Sequence, residues 1–310
     1  MSAKMSEFYP EGELINTEDN RISVSSEQKL QECILSGKIL EAPCIVCDSR
    51  HNLIVDFGFI KGIIPRTEGA IGIDEGTTRD IALISRVNKA VCFKITAFVN
   101  GEYGEKMALL SRKKAQQQCF CEYISKLVPG DIIGAKVTHL EQFGSFVDIG
   151  CGIPSLIPID SISVSRINHP SNRMSVGQNI KAVVKSIEGE KISLSHKELL
   201  GTWAENAAHF KTGETVTGYI RSVEDYGVFV ELTPNLAGLA ELKENIHINQ
   251  HASVFIKAII PEKMKIKLII VDTFDSGYTS QSFKYFIDGG HIDSWVYSTP
   301  ESDKIIKTVF

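Results

Sequence analysis

The residues of this sequence best suited to chemistry are two aromatic pairs, each built around a glycine. The pairs share one spacing: Phe143–Gly144–x–Phe146 and Tyr226–Gly227–x–Phe229. Flat rings carried outward on a strand can stack on the bases of a single-stranded nucleic acid, which is worth about 1–3 kcal/mol per base. The two motifs therefore predict a surface that binds unpaired bases.

A binding role competes with a packing role at these motifs. A single aromatic pair around a glycine is common where rings fill a core and the strand bends, but here the pair recurs at one position of a repeat. We predict that Phe143 and Tyr226 contact bases, whereas Phe146 and Phe229 either join them or point inward. We also predict contacts at the two enclosed glycines, which permit the bend and a close approach of the sugar–phosphate backbone.

The motifs lie inside an internal repeat. Three blocks recur, the first two 83 positions later and the third 74 positions later: 130–137 with 213–220, 143–147 with 226–230, and 191–195 with 265–269. The last block opens with Lys191 in one copy and Lys265 in the other, and we predict that both lysines contact the ligand. A divergent copy upstream, with blocks at 54–65 and 106–111, lacks the aromatic motif.

The pattern within each copy is that of short strands separated by bends. Residues 181–187 are rich in β-branched and alternating apolar residues, and Gly189 follows them. Several such strands within roughly 60–90 residues favour a small closed barrel. Closure removes the exposed strand edges that would otherwise aggregate.

Composition excludes several classes of protein. The chain has 310 residues, is 43% hydrophobic and 23% charged, and carries a net charge of −5. No apolar run is long enough to span a membrane, no secretory signal is visible, and the negative charge argues against indiscriminate binding to duplexes. We expect a cytoplasmic protein whose seven cysteines are reduced thiols. Cys44 and Cys47 have the spacing of half a zinc site, but Cys119 and Cys121 are a poor complement, so no metal or cofactor is predicted.

The repeated motifs resemble the S1 RNA-binding module, a five-stranded OB-type barrel. The resemblance is strong over 130–199, good in the first half of 213–272 and weaker over 27–118, which is similar to the N-terminal modules of bacterial ribosomal protein S1. The predicted fold is mainly β, with three tandem barrels, short helical linkers and a small C-terminal appendage. The predicted units are an acidic N-terminal extension (1–26), a diverged barrel (27–118), a linker (119–129), a barrel (130–199), a helical linker (200–212), a barrel (213–272) and an aromatic-rich appendage (273–310).

The resemblance implies single-stranded RNA binding on the barrel face that carries the aromatics. Modules of this family often carry a histidine on the third strand and an aspartate before the last strand. This chain has Pro158 and Glu241 at the first position, and Glu188 and Pro261 near the second. The resemblance also implies that the first barrel, which has a net charge of +2 over 27–118, docks on the 30S ribosomal subunit. A degenerate barrel kept as a spacer is the alternative, and the run 112–114 could touch RNA or form a solvated face.

The predicted function is to hold mRNA single-stranded in translation, as a small-subunit ribosomal protein of the S1 type. The alternatives are an RNA-binding regulator not tied to the ribosome and a protein-interaction scaffold of OB barrels. No nucleotide-binding or hydrolase motif appears, and the segments outside the barrels are too short for a catalytic domain. We therefore predict that the chain is not an enzyme.

The two ends of the chain differ in character. Residues 1–26 are predicted to be a loose acidic extension. The tail is dense in aromatic residues: Phe274, Tyr278, Phe283, Tyr285, Phe286, Trp295, Tyr297 and Phe310. Rings at this density must be buried, so we predict a strand–turn element, with 288–290 as its turn, packed against the third barrel. Self-association through the tail is the alternative.

Overall fold

The computed structural model describes residues 8–101, 104–189, 191–275 and 283–310. These residues form three closed five-stranded β-barrels, a few short helices and a C-terminal hairpin, which confirms the predicted fold class. Tyr278, one of the aromatic residues of the tail, lies outside the described ranges.

The first barrel contains strands β1 to β5, in the spatial order β1-β2-β3-β5-β4. Its strands are β1 (Leu40–Cys47), β2 (Leu53–Asp56), β3 (Lys61–Ile64), β4 (Ala90–Asn100) and β5 (Lys106–Ser111). Strands β3 and β5 pair in parallel, and this pairing closes the barrel around Phe93 and Leu110.

The second barrel contains strands β6 to β10, in the order β10-β8-β7-β6-β9. Its strands are β6 (Ile132–Glu141), β7 (Gly144–Asp148), β8 (Pro154–Pro158), β9 (Asn179–Glu188) and β10 (Lys191–Ser195). The third barrel repeats this connectivity in the order β11-β12-β13-β15-β14. Its strands are β11 (Thr215–Glu224), β12 (Gly227–Thr233), β13 (Leu236–Ala240), β14 (His251–Ile260) and β15 (Lys265–Phe274).

Alternation along the strands separates the core of each barrel from its outer face. In β12, Val228 and Val230 are buried in the core, while Phe229 between them is only partly covered. The period of two in a strand sends neighbouring side chains to opposite faces. Phe229 therefore lies on the outer face of the third barrel.

Short helices cap or connect the barrels. They are α1 (Glu18–Ser23), α2 (Glu27–Ser36), α3 (Ile81–Ile84), α4 (Arg112–Glu122) and α5 (Trp203–Ala207). Single 3₁₀ turns lie at Arg66–Glu68, Ile124–Lys126, Ile159–Ser161, Pro170–Asn172, Lys197–Leu200 and Pro261–Lys263. The Thr202 side chain caps α5 by accepting from Glu205 N–H, and the Glu205 carboxylate accepts from Thr202 N–H in return. In the described residues, no helix has the length and apolar character needed to cross a bilayer.

The chain divides into two compact units. The first contains Met1–Leu127 with Asp148–Pro154, and the second contains Val128–Val147 with Ser155–Phe310. The second and third barrels, the α5 spacer and the C-terminal tail thus share the second unit.

The N-terminal segment of the first unit is held in place, which corrects the expectation of a loose extension. The Glu41 carboxylate accepts hydrogen bonds from the backbone N–H groups of Gly12, Leu14 and Ile15 at 2.9–3.0 Å. The side chain of Asn20 bonds both to the carbonyl and to the N–H of Glu41 at 2.9 Å. These bonds tie residues 12–20 to the first strand of the barrel.

A buried ion pair in the first unit accounts for the basic run at 112–114. Arg112 is 5% exposed and binds Glu11 through Nε at 2.6 Å and Nη2 at 3.0 Å. Burial would raise the pKa of Glu11, but the guanidiniums of Arg112 and Arg86 outweigh it and lower the pKa to about 2. Lys113 binds Asp74 at 2.8 Å. Two members of the run are therefore engaged within the protein.

Asp148 shares this network and positions the loop Asp148–Pro154. Its carboxylate accepts from the backbone N–H groups of Glu11 at 2.7 Å and Gly150 at 2.8 Å. Burial, together with the neighbouring Glu11 carboxylate, raises the pKa of Asp148 to about 6. The side-chain amide of Gln116 donates to the carbonyl groups of Cys151 and Gly152 at 3.2 and 3.3 Å.

The C-terminal tail packs on both barrels of the second unit, not on the third alone. Trp295 and Tyr297 join the core cluster of the third barrel, and the Tyr297 hydroxyl donates to the Asn235 carbonyl at 2.5 Å. Tyr285 and Phe310 instead pack with Ile132 and Val183 of the second barrel. The prediction of a tail packed against the third barrel was therefore incomplete.

The hairpin of the tail also lies elsewhere than predicted. It pairs β16 (Ser294–Val296) with β17 (Lys307–Val309), so its turn falls within 297–306. Residues 288–290 precede the hairpin, and the Gly290 carbonyl accepts from Ile132 N–H at 3.0 Å. His291 Nδ1 lies 2.8 Å from an Asp131 carboxylate oxygen, and this side-chain hydrogen bond raises the pKa of His291.

Candidate RNA-binding surface

The aromatic pair of the second barrel forms an exposed, edge-on cluster. Phe143 lies in the turn between β6 and β7 and is 57% exposed, whereas Phe146 on β7 is half-buried. The two ring centroids are 5.9 Å apart at an interplanar angle of 89°. The His139 ring on β6 lies 6.4 Å from Phe146. This geometry leaves ring faces open to solvent beside a half-buried support.

The third barrel repeats the arrangement almost unchanged. Tyr226 is 70% exposed and Phe229 is half-buried. Their centroids are 6.1 Å apart at 87°. Edge-to-face packing is a favoured aromatic geometry, so each inner ring holds its outer ring in a fixed orientation.

The enclosed glycines are explained by the approach of a neighbouring strand. A Cβ on Gly144 would lie 2.5 Å from the Ile157 carbonyl oxygen, and a Cβ on Gly227 would lie 2.6 Å from the Ala240 carbonyl oxygen. Both glycines are buried. They permit close strand packing beneath the rings, which is a structural reason for glycine at both places. The contact of Gly144 and Gly227 with a sugar–phosphate backbone stays a prediction.

A lysine that sequence reasoning missed lies in line with the aromatics of the third barrel. Phe229 on β12 is opposite Leu239 on β13, and Leu239 is opposite Lys267 on β15. Directly opposed residues share one face of a sheet, and two strand spacings separate Phe229 from Lys267 by roughly 10 Å. Lys267 is exposed, so it could meet the phosphate of a nucleotide stacked on the rings.

Of the two predicted lysines, Lys265 lies beside this row, and Lys191 has the matching place in the second barrel. Lys265 is exposed two residues before Lys267, and Lys191 is exposed at the matching start of β10. The second barrel has Ser193 opposite Leu156 at the place that corresponds to Lys267. His139 and Lys267 are therefore additions to the predicted set. The sequence signal for Lys267 was the alternation of lysine and apolar residues in Lys265–Ile266–Lys267–Leu268.

Glu241 is less repulsive than its charge suggests. Its side chain is 88% exposed, and a carboxylate oxygen lies 3.9 Å from the Lys257 ammonium. Water surrounds this exposed carboxylate and also weakens its repulsion of a phosphate. The third barrel thus keeps its rings and Lys267 beside a partly compensated carboxylate.

The first barrel has a polar turn where the others have their aromatic motif. Asp48 directly follows β1 and accepts hydrogen bonds from the backbone N–H groups of Arg50 and Asn52 at 2.8 Å. Burial would raise the pKa of Asp48, but these hydrogen bonds outweigh it and lower the pKa. Because no ring pair occupies this turn, the first barrel lacks the aromatic surface that the other two barrels present.

The paired cysteines of the first barrel serve packing. Cys44 is fully buried in the core, and Cys47 packs against the same cluster. Burial raises the pKa of both thiols. Within the described ranges, no group of three or more histidine, cysteine or acidic side chains is arranged to hold a metal ion.

Comparison with known proteins agrees with this geometry. Residues 126–197 match the family of the S1 RNA binding domain. The chain is 32% identical over 251 residues to the small ribosomal subunit protein bS1 of Staphylococcus aureus (strain COL), covering 78% of this chain and 61% of that protein. It is 25% identical over 281 residues to the bS1 protein of Rhizobium meliloti (strain 1021), covering 86% of this chain and 48% of that protein.

A third relative shows the same pattern. The small ribosomal subunit protein bS1 homolog of Bacillus cereus (strain ATCC 10987 / NRS 248) is 26% identical over 274 residues, covering 83% of this chain and 69% of that protein. The chain thus spans 48–69% of the length of these relatives. Residues 126–197 thus match the S1 RNA-binding domain family, and the chain is similar to small ribosomal subunit protein bS1 over most of its length.

Proposed function

We propose that the chain binds single-stranded RNA on the aromatic surfaces of the second and third barrels. The observation that carries the proposal is the repeated ring pair, in which an exposed ring stands edge-on over a half-buried one in both barrels. The surface of the second barrel consists of Phe143, Phe146 and His139, with Lys191 beside it. The surface of the third barrel consists of Tyr226 and Phe229, with Lys265 and Lys267 beside it.

The proposed binding is moderate in strength and depends on both barrels. Four rings at about 1–3 kcal/mol per stacked base give a gross binding free energy of about 4–12 kcal/mol. Ordering the flexible RNA strand offsets several kcal/mol of it. Hydrogen bonds join the two barrels: the Asn235 amide donates to the Lys197 and Gly201 carbonyls at 2.8 Å, and its oxygen accepts from Val164 N–H at 2.9 Å. A strand held by one surface is thereby kept close to the other.

The proposed setting is translation on the small ribosomal subunit, where the chain would hold mRNA single-stranded. The names of the bS1 relatives support this setting, and so does the S1 domain. In this proposal the protein acts by binding and catalyses no reaction.

The proposed contact with the 30S subunit is the first barrel, residues 27–118, which lacks the aromatic motif of the other two barrels. Deleting it would remove Arg112 and Gln116 from the loop Asp148–Pro154, so charge reversal in the full chain is the cleaner test. The test variant reverses three exposed basic residues of this barrel: Lys61, Arg79 and Lys89 to glutamate. The control reverses three exposed lysines of the second unit: Lys211, Lys263 and Lys304 to glutamate.

The expected result is co-sedimentation of the control with small subunits and loss of the test variant from the pellet. Both variants should still bind a decauridylate. Equal sedimentation of the two would contradict docking through the first barrel and leave RNA binding untouched.

RNA binding itself is tested by titrating labelled decauridylate and a duplex of equal length at two salt concentrations. Stacking contributes most of the proposed affinity, so the single strand should bind more tightly and its salt dependence should be shallow. Preference for the duplex, or a slope that corresponds to many phosphate contacts, would contradict the proposal.

A further inference from the structure

The second unit also contains a cavity, which the exposed rings Phe143 and Tyr226 do not line. It is a cavity of about 400 Å³ where β11 and the end of β12 meet the α5 spacer and residues 283–286 of the tail. This volume falls in the range of roughly 300–1,000 Å³ that is typical of small-molecule sites. The cavity therefore has room for one ligand of that size.

The polar wall of the cavity is a row of three residues across neighbouring strands. Tyr219 on β11 is opposite Glu231 on β12 and opposite His251 on β14. The adjacent residues Ile220 and Val230 point into the barrel core. The row thus lies on the outside of the barrel, where the spacer and tail cover it.

Positive charge exceeds negative charge in this wall. Glu231 is 8% exposed and accepts from Arg221 Nε at 2.7 Å, from Arg221 Nη2 at 3.1 Å and from Arg173 Nη2. The side chains of Arg173 and Arg221 are 2% and 9% exposed. Two nearly buried guanidiniums therefore share one carboxylate, and Lys284 adds a further ammonium at the exposed side of the cavity.

Two polar atoms of the wall are left unsatisfied. Arg221 Nη1 and His251 Nε2 are buried and make no hydrogen bond within the described part of the chain. Buried donors and acceptors are almost always paired in folded proteins, since an unmade bond is costly. Both atoms belong to residues that line the cavity. A ligand with an anionic acceptor group would satisfy the guanidinium.

Flat rings form the rest of the cavity. The Arg221 guanidinium lies 4.2 Å from the centre of the Tyr219 ring, and the His251 ring is 5.1 Å from it. Phe210 and Phe286 also line the cavity. Rings and guanidinium planes are the surfaces on which a nucleobase stacks.

The fold itself does not require this arrangement. In the second barrel, Lys136 is opposite Asn179 at the places that correspond to Tyr219 and His251, and Thr138 corresponds to Arg221. The same barrel topology is thus built without the rings or the arginine. Their presence in the third barrel points to a ligand.

We propose that this cavity binds a single nucleotide, with its phosphate on Arg221 Nη1 and its base against the aromatic walls. Two sources present this chemistry: a free mononucleotide, or one nucleotide of a bound RNA strand. Glu231 lies two residues after Phe229 on the same face of β12, roughly 7 Å along the strand, so a strand on the aromatic surface could reach the cavity. The free-nucleotide case is independent of the proposed function.

The test uses the full chain and two kinds of probe. Calorimetric titrations with adenosine 5′-monophosphate and uridine 5′-monophosphate measure free nucleotides, and anisotropy with a decauridylate measures RNA. Arg221→Met removes the cation and leaves Glu231 paired with Arg173. Thr217→Trp fills the cavity from an exposed lining position, and Thr215→Trp is its control, two residues earlier on β11 and outside the lining.

Binding of a mononucleotide that falls at least tenfold in Arg221→Met and Thr217→Trp, and persists in Thr215→Trp, supports the free-nucleotide source. No mononucleotide binding, with decauridylate affinity at least fivefold lower in Thr217→Trp than in Thr215→Trp, supports the RNA source. If neither probe distinguishes the two tryptophan variants, the proposal is overturned. Should Arg221→Met fail to fold, the tryptophan pair decides alone.

One further variant distinguishes a failure of the cavity proposal from a failure of the proposed RNA binding on the aromatic surfaces. The double variant Phe143→Ala, Tyr226→Ala removes the exposed rings and leaves every cavity residue in place. A mononucleotide should bind that variant as it binds the parent chain. Loss of mononucleotide binding in it would overturn the placement of the site in the cavity.

Discussion

Removing the two exposed rings should abolish most of the RNA affinity and leave the fold intact. The change is Phe143→Ala and Tyr226→Ala, singly and together. These rings are 57% and 70% exposed, so their loss uncovers little buried surface. Their inner partners, Phe146 and Phe229, remain packed on the barrels.

The expected size of the effect follows from the exposed ring faces. One stacked base per ring is worth about 1–3 kcal/mol, which corresponds to about a 5- to 150-fold loss for each single variant. The double variant should lose about 2–6 kcal/mol, at least about 25-fold. The lost edge-to-face contact should cost no more than about 0.5–1.5 kcal/mol of folding stability per pair. That cost lowers the melting temperature by a few degrees, on the order of 2–4 °C per kcal/mol.

The assay is fluorescence anisotropy of labelled decauridylate, with thermal unfolding measured on the same samples. Phe59→Ala in the first barrel is the matched control, because Phe59 is 48% exposed and lies beside Phe57 with ring centroids 6.5 Å apart. The control should bind as the parent chain does. Unchanged affinity in a folded double variant would refute the stacking argument and favour a scaffold of barrels that do not bind RNA.

Three further outcomes follow from single contacts. Lys267→Ala should weaken decauridylate binding and reduce the slope of log affinity against log salt by about 0.7. The control Lys263→Ala should change neither. Equal slopes in the two variants would show that Lys267 does not contact the RNA. His196 is fully buried, and burial lowers its pKa to about 4. The unfolded chain therefore takes up the proton first as the pH falls, and the free energy of unfolding should drop by about 2 kcal/mol from pH 7.5 to pH 5. Urea unfolding of His196→Gln should show a flatter pH profile, and a profile identical to that of the parent chain would contradict this. Arg112→Met leaves the buried Glu11 carboxylate with less charge compensation and should lower the free energy of unfolding in urea by about 3–5 kcal/mol. Adding Glu11→Gln should restore part of that stability. A loss below about 1 kcal/mol would show that the ion pair is dispensable.

The barrels could be predicted from the sequence because their pattern is local and repeated. Alternation in a strand such as β12 and turn glycines are set by neighbours in the chain. The recurrence of whole blocks in the same order, two of them at one offset, adds the inference that the copies share one fold. The same regularity predicted Phe143 and Tyr226 as outward rings, since their motif stands at one place in both copies.

The route of the tail could not be predicted because it depends on surfaces distant in sequence. Its aromatic residues indicate burial, but they do not say against which barrel. Tyr285 meets the second barrel and Trp295 meets the third, and both partners lie dozens of residues away. The N-terminal segment was misread for the same reason: Glu41, which orders it, lies beyond the segment itself.

What the sequence determined by itself is the number of barrels, their type and the exposed ring of each aromatic pair, because these follow from short-range periodicity and sterics. What only the tertiary structure decided is which side chains from separate strands meet. The line from Phe229 to Lys267 depends on strand register. The cavity around Arg221 depends on the spacer and tail closing over the barrel. Register and packing are set by the whole core, since one residue of slip in a strand would turn every side chain to the other face.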